Sequence, residues 1–345
     1  MNKTVIAIAY ALAAALFYAL NVPCSKLLLE NIPPTFMAAF LYLGAGIGVG
    51  IMYLFHYKNE KPAERLARKD LPYTVGMVVL DIAAPILLMI GVSIGTSSNA
   101  SLLGNFEIVG TTAIAALIFR EKVSVRLWAA IGLITLSSAI LSFEGAGSLK
   151  FSSGSLFVLG AAVCWGLENN CTRSISEKST HQIVTIKGLF SGAGSMIVAF
   201  ATGEKFPEIK YILPALLLGF VAYGLSIFTY IRAQKTLGAA KTSAFYAAAP
   251  FIGAFLSFAL LREKLTLSYL AALAVMLAGA ALVAVDALAR RHSHEHSHTF
   301  THTHDGSTHT HTVTHSHEHI HYTSSENHAH RHGSAELEKQ LPEHR

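Results

Sequence analysis

Hydrophobic residues occur along this chain in ten long runs, each separated from the next by a short polar segment. A helix needs about 20 apolar residues to cross a bilayer, and the runs match that length. The pattern predicts an all-α integral membrane protein with ten transmembrane helices. The runs cover approximately residues 4–25, 34–56, 71–93, 97–119, 125–143, 152–172, 183–202, 211–231, 242–261 and 267–288.

The two halves of this pattern repeat each other in sequence. The stretch from Ile118 to Leu127 returns 142 residues later, from Leu260 to Tyr269, and both copies place Arg-Glu-Lys between two apolar runs. We predict a first repeat over residues 1–145, a second over 146–289, and a tail over 290–345. Because each repeat has five helices, an odd number, the second must enter the membrane from the opposite side, so the repeats are inverted.

The distribution of basic residues predicts the orientation. With the amino terminus inside, the segments on that side carry 16 lysines and arginines, whereas the opposite segments carry six. Cytoplasmic loops are enriched in positive charge. We therefore expect a multi-pass protein of the inner membrane with both termini in the cytoplasm.

The paired Arg-Glu-Lys motifs resemble those of a known family. Arg120-Glu121-Lys122 and Arg262-Glu263-Lys264 end helices four and nine, and helix nine also contains Ala248-Ala-Pro-Phe-Ile-Gly253. These residues are similar to the drug/metabolite transporter superfamily, in its ten-helix branch with two EamA-type repeats, over residues 4 to about 289. The resemblance implies alternating access and export of amino acids, other small metabolites, drugs, nucleotide sugars or, in one branch, nickel and cobalt.

Composition excludes several classes of protein. Only 14% of the residues are charged and the mean hydropathy is +0.46, whereas soluble domains carry about 25% charged residues. Residues 1–289 hold 21 basic and 14 acidic residues, but no basic patch is interleaved with aromatic residues as nucleic-acid binding requires. We expect the lipid bilayer as a partner, and neither nucleic-acid binding, nor enzymatic activity, nor a required cofactor.

Two carboxylates lie near the centres of predicted spans, Asp81 in the third helix and Glu107 in the fourth. An ionisable group at mid-bilayer costs roughly 2.5–3.5 kcal/mol on insertion scales, so it is a functional candidate by default. The second half has no carboxylate at the matching positions. We predict that both residues bind a proton or a cationic group of the substrate. The alternative is a structural ion pair, for which Lys187 of the seventh helix is the candidate partner.

Other polar and aromatic residues share these spans. Cavity lining competes with simple hydrogen bonding between helices for the polar ones, and substrate stacking competes with packing for the tyrosines. Four glycines of the second run, at positions 44, 46, 48 and 50, form small-xxx-small pairs and predict close helix packing. The predicted substrate- or ion-binding residues are Asp81, Glu107, Asn105, Asn21, Glu168, Lys187, Tyr223 and Tyr246.

Sixteen of the 18 histidines lie in the tail, mostly spaced as His-x-His among serine, threonine and acidic residues. A segment with so little apolar surface is predicted to be disordered. Imidazole suits zinc, nickel and copper, so the tail is predicted to bind a divalent metal such as zinc, nickel or cobalt. The predicted metal ligands are His292, His294, His296, His298, His315, His317, His319 and His321.

Three interpretations of the tail stay open. It collects cytoplasmic metal for an exporter, or it senses pH, or it is a solvated low-complexity segment whose metal binding has no role. Its 5 basic and 7 acidic residues give a charge of −2, which would become +14 if all 16 histidines were protonated.

Three functions follow from these features. The first is transport of a small organic metabolite such as an amino acid, with the two mid-membrane carboxylates coupling to protons or binding a cationic group. The second is export of nickel, cobalt or zinc, with the tail as collector. The third is a membrane-bound metal or pH sensor, against which the two mid-membrane acids argue because a sensor needs no central polar site.

Overall fold

The computed structural model describes residues 3–57, 60–117, 123–142, 152–175, 177–237, 242, 245–288, 290–304 and 307–321. The first Arg-Glu-Lys motif, the loop near residue 145 and the tail beyond residue 321 lie outside these ranges. The chain divides into two units, Met1–Asp286 and Ala287–Arg345.

The first unit is built from helices, with two short 3-10 turns at Pro62–Glu64 and Arg68–Asp70. The helices are α1 (Lys3–Ala19), α2 (Asn21–Leu28), α3 (Pro34–His56), α4 (Leu71–Ile94), α5 (Ser97–Leu103), α6 (Phe106–Leu117), α7 (Val125–Ser142), α8 (Ser153–Ser174), α9 (Thr180–Ala201), α10 (Ile209–Gly219), α11 (Ser226–Leu237), α12 (Ala249–Leu261) and α13 (Leu267–Leu288).

Helix occupies each of the ten predicted runs. In the described part of the chain, seven helical segments are long and apolar enough to cross a membrane, and α12 is a shorter apolar helix. The prediction of a helical, multi-pass membrane protein is confirmed to this extent. The count of ten crossings and the inverted orientation of the halves stay predictions.

Over the described residues, four of the predicted helices are not continuous α-helices, the ninth being interrupted by a turn at residues 247 and 248. The first is divided into α1 and α2 at Leu20, and the fourth into α5 and α6 at Gly104-Asn105. In the eighth, a π-helical turn over Phe220–Leu225 joins α10 to α11. Such π-turns occur often at functional sites because they displace one side chain from the regular helical position.

The packing of the helices is symmetric under exchange of the two halves. Helix α3 packs against α9, α4 against α8, and α1 against α11. In the predicted order these pairs are helices 2 and 7, 3 and 6, and 1 and 8. Exchanging the halves maps the first pair onto itself and interchanges the other two, as expected for two related repeats.

The glycines of α3 allow two other helices to approach its backbone. A Cβ on Gly46 would lie 2.5 Å from the Leu189 nitrogen of α9, and one on Gly188 would overlap Gly46 itself. On the neighbouring side, a Cβ on Gly44 would overlap the Leu216 carbonyl of α10. The predicted close packing at these glycines is confirmed.

The second unit departs from the prediction of disorder over 30 of its residues. Strands β1 (Arg290–His304) and β2 (Ser307–His321) pair as an antiparallel two-stranded ribbon. Histidine alternates with serine, threonine or glutamate over most of both strands, which is the period of two that a strand requires, and threonine favours extended backbone. The prediction of disorder rested on low apolar content and did not weigh this alternation.

Candidate functional site

The predicted residues Asp81, Lys187 and Glu168 form one buried ion-pair cluster where α4, α8 and α9 meet. The Lys187 ammonium lies 3.1 Å from Asp81 Oδ2 and 2.9 Å from Glu168 Oε1. The side chains of Asp81 and Glu168 are 0% and 2% exposed, and that of Lys187 is 14% exposed. The ion pair considered for Asp81 is therefore present, with a second carboxylate added to it.

A tyrosine and a tryptophan complete this cluster. The Tyr42 hydroxyl of α3 donates to Asp81 Oδ1 at 2.8 Å, and Trp165 Nε1 of α8 donates to the Tyr42 oxygen at 3.4 Å. The Thr172 hydroxyl donates to Glu168 Oε1. Both carboxylates are thus held by hydrogen bonds as well as by the ammonium, as buried charges require.

Glu107 belongs to a neighbouring hydrogen-bonded pair. Its Oε1 accepts from Asn169 Nδ2 of α8 at 2.6 Å, and the same amide lies 3.3 Å from the Thr111 hydroxyl. Asn169 directly follows Glu168, so adjacent residues of α8 join Glu107 to the ion-pair cluster. No positively charged partner within 4 Å of Glu107 is present among the described residues.

Asn105 lies at the break between α5 and α6. Its side chain is 3% exposed, and its Nδ2 has no hydrogen-bond partner among the described residues. A buried amide donor without a partner is costly, and this one stands two residues before Glu107. It is therefore a donor that a bound molecule would satisfy.

Tyrosines extend the site toward α1 and the π-helical turn. Asn21 Nδ2 donates to the Tyr223 hydroxyl at 2.9 Å, and the Tyr223 ring lies 5.2 Å from that of Tyr42 and 5.9 Å from that of Tyr18. Tyr246 lies 5.8 Å from Tyr18 between ring centroids. These rings form an aromatic wall next to the charged cluster.

Local irregularities in the helices position these groups. Pro85 lies inside α4, four residues after Asp81, and has no N–H to donate to the Asp81 carbonyl. Tyr223 lies in the π-helical turn, and Glu107 lies in the first turn of α6, directly after the break. Three of the site's main residues therefore stand where regular helical hydrogen bonding is interrupted.

Hydrogen bonds, ion pairs and ring contacts link Asp81, Glu168, Lys187, Asn21, Tyr223 and Tyr246, and Glu107 adjoins them through Asn169. Asn105 is the exception, since it stands near the site only as a sequence neighbour of Glu107. Tyr42, which holds Asp81 directly, was not predicted, although a tyrosine hydroxyl in a buried span needs a hydrogen-bond partner. Asn169, which holds Glu107, belongs to the polar residues of the sixth run for which cavity lining was considered.

The two ends of α4 mark the two ends of the bundle, here called the Asp70 end and the Glu263 end. At the Glu263 end, Arg262 adopts a left-handed conformation (φ 52°) that ends α12. The Glu263 carboxylate then accepts from the backbone nitrogens of Ser97 and Ser98 at 2.7 and 2.9 Å. The second Arg-Glu-Lys motif thus ties α12 of the second half to α5 of the first.

The Asp70 end is closed by contacts between the loop before α4 and the start of α9. The Gln182 side chain accepts from the Leu66 nitrogen at 2.7 Å, and the Lys178 ammonium lies 3.8 Å from Asp70 Oδ2. Hydrogen bonds between the two halves therefore occur at both ends of the bundle, with the charged cluster between them.

A cavity of about 320 Å³ lies toward the Glu263 end, between α4, α5, α7 and α8. Its polar lining comes from Asn99, Ser152 and Ser155, and it contains none of the predicted site residues. Among the side chains that the structure describes, no group of three or more His, Cys, Asp or Glu residues is arranged to hold a metal ion.

Comparison with known proteins gives consistent matches over the helical unit. The profile of the EamA-like transporter family matches residues 5–143 and 152–285. An uncharacterized transporter of Methanothermobacter thermautotrophicus is 26% identical over 287 residues, which is 78% of this chain and 83% of the relative. The uncharacterized transporter YyaM of Bacillus subtilis is 23% identical over 236 residues, or 66% and 76% of the two chains.

A protein of known crystal structure shares the fold. Its TM-score is 0.60 at 17% sequence identity, and the match covers 81% of this chain and 97% of the other.

Proposed function

Because this chain belongs to the EamA-like transporter family, we propose that it exports a small organic metabolite with a cationic or zwitterionic group, such as an amino acid. Transport proceeds by alternating access between the two repeats. The substrate site is the charged cluster together with Glu107 and the tyrosine wall.

The charges of the site carry this proposal. Three carboxylates (Asp81, Glu107 and Glu168) are accompanied by a single ammonium, that of Lys187, in the part of the span that the structure describes. Uncompensated charge in a low-dielectric interior is expensive. A cationic substrate group or a proton at Glu107 reduces the excess of negative charge.

A zwitterion uses both signs of this site. Its ammonium group suits the Glu107 carboxylate. Its carboxylate suits the Asn105 Nδ2, which has no partner among the described residues, or Lys187 once the ammonium of Lys187 turns from one of its two partners. The tyrosine rings of residues 18, 223 and 246 offer an apolar and hydrogen-bonding surface to the remainder of the molecule.

The test is counterflow of labelled amino acids in liposomes containing the purified chain. We expect Glu107→Gln to lose at least about 90% of the flux, since it removes the carboxylate that has no cationic partner among the described residues, and to abolish any dependence of the residual flux on pH. Glu208→Gln is the matched control, because its carboxylate is 71% exposed and pairs with an exposed lysine. It should retain full flux. Equal flux and pH dependence in Glu107→Gln and the intact chain would refute the role of Glu107.

A second candidate, export of nickel, cobalt or zinc, is favoured by the histidine content of the tail. The metal content of cells that express the chain distinguishes metal export from metabolite export. Under the metabolite proposal, cells have the same metal content whether they express the intact chain, the Asp81→Asn/Glu107→Gln variant or a chain lacking residues 292–345. Lower metal that depends on the two acids would favour metal export. Flux that survives removal of the tail would exclude a sensor that transports nothing.

A further inference from the structure

The register of the histidine-rich ribbon matches histidines across its two strands. Its Cα partners include three consecutive His–His pairs at alternate positions, followed by a fourth pair nearer the turn. The pairs are His292–His319, His294–His317, His296–His315 and His302–His309.

The same register assigns every histidine of the two strands to one face. Residues two apart along a strand share a face, and so do direct cross-strand partners. The six histidines of β1 are all at even positions and the six of β2 at odd positions, and even positions of β1 pair with odd positions of β2. The other face belongs to serine, threonine, arginine, glutamate and isoleucine. Alternation within each strand does not decide whether the histidines of β1 and those of β2 share a face. The register places all 12 on the same face.

We propose that the three consecutive pairs form a binding site for a divalent transition metal, with Zn²⁺ as the ligand of reference. Direct cross-strand partners are about 5 Å apart, and alternate residues of one strand are about 6.6 Å apart. Two adjacent pairs therefore place four histidine positions at the corners of a small rectangle of backbone, and four is the number of ligands that a tetrahedral zinc site needs. Histidine nitrogen is a ligand for zinc, nickel and copper, and not one that calcium prefers.

The central pair, His294–His317, is shared by both possible groups of four. Without it, the remaining pairs 292–319 and 296–315 are separated by four residues along the strand, about 13 Å, which is too far to share one ion. The proposal concerns metal binding by the tail and does not depend on what the helical unit transports.

The ribbon contains its own matched control. His304 pairs with Ser307 and His311 pairs with Phe300, so these two histidines belong to the same face but to no His–His pair. The variants His294→Ala/His317→Ala and His304→Ala/His311→Ala remove the same number of histidines and leave the same composition. A third variant, Ser297→Pro/Thr314→Pro, keeps every histidine but interrupts the strand pairing at one register position.

The experiment measures Zn²⁺ affinity of the purified full-length chain in detergent, by competition with a chromophoric chelator. We expect the 294/317 variant to bind its tightest Zn²⁺ about tenfold or more weakly, the 304/311 variant to change by less than about twofold, and the proline variant to resemble the 294/317 variant. Equal losses in the two alanine variants, no loss in either, or unchanged affinity in the proline variant would each overturn the proposal. Ca²⁺ should not compete with Zn²⁺ in the intact chain, and effective competition would count against an imidazole site.

Discussion

At the scale of single residues, Lys187 is the group on which the charged cluster depends. Its ammonium is the shared partner of Asp81 and Glu168, both almost fully buried. Neither carboxylate has another cation within ion-pair distance among the described residues. Removing the ammonium therefore leaves two buried negative charges next to each other, which is worse than removing any one carboxylate.

We predict that Lys187→Met lowers the free energy of unfolding by about 3–5 kcal/mol, the range for breaking a buried ion pair. The triple variant with Asp81→Asn and Glu168→Gln should recover most of the loss, because the stranded charges are gone. Denaturant or thermal unfolding of the purified chain measures both. Lys210→Met is the control, since that lysine is 63% exposed beside an exposed Glu208, and it should leave the unfolding transition unchanged. A similar effect of the two single variants would contradict the buried role of Lys187.

The sequence reveals those residues of the site whose placement in the membrane costs the most free energy. Asp81 and Glu107 are conspicuous because a carboxylate in a span is expensive, and that cost is visible without a structure. Tyr42 and Asn169 are neutral, so their polarity in a span predicts that each has a hydrogen-bond partner but does not say which one; only their contacts identify Asp81 and Glu107. The sequence also suggested Lys187 as a partner of Asp81, but not that Glu168 shares it, because that requires the approach of α8 and α9.

At the scale of helices, apolar runs predicted where helices occur but not where they break. A run of 20 apolar residues satisfies the length of a span and carries no information on its continuity. At the division of α5 from α6, local backbone bonds from Asn105 to Leu102 and from Glu107 to Gly104 replace the regular helical ones, and a π-helical turn interrupts the eighth run at Phe220–Leu225. The glycine pairs were better predictors, since a missing side chain directly permits close approach.

The crossing of α3 and α9 gives a prediction at this scale. Gly46→Ala should lower the free energy of unfolding by about 1–3 kcal/mol, because the added methyl group meets backbone atoms of Gly188 and Leu189, which cannot change rotamer. Gly132→Ala on α7 is the control: nothing lies within 4 Å of its added Cβ, and alanine favours helix over glycine by about 1 kcal/mol. It should be neutral or stabilising. The yield and unfolding midpoint of the two variants check this, and a Gly46→Ala chain as stable as Gly132→Ala would contradict the close crossing.

At the scale of the whole molecule, the two halves are joined at both ends of the bundle. Alternating access requires one set of these contacts to open while the other stays closed. Glu263 closes one end through α5, and Gln182 closes the other through the loop before α4. Two of the cysteines lie near these ends: Cys24 is in α2, which packs against α5 and α12, and the Cys171 sulfur lies 3.1 Å from the Cβ position of Gly76 in α4.

We predict that opening either end exposes the cysteine near it. In chains that retain only Cys24 or only Cys171, Glu263→Ala should raise the rate of labelling of Cys24 by a membrane-impermeant maleimide several-fold and leave Cys171 unchanged. Gln182→Ala should have the reverse effect. Labelling in liposomes with reagent on both sides measures the four rates. Parallel changes at both cysteines would indicate general loosening and would contradict independent closure of the two ends.

The glycine crossing of α3 and α9 also has a mechanical consequence. Where two helices touch through backbone atoms, one helix can rotate against the other but has little room to slide along it. The crossing therefore acts as a pivot near the middle of both helices. From Gly46 to the start of α3 at Pro34 is 12 residues, a lever arm of about 18 Å. A turn of about 10° at the pivot then displaces the end of the arm by about 3 Å, which exceeds the tolerance of a hydrogen bond. A small rotation at one point is therefore enough to release the distant end of the helix.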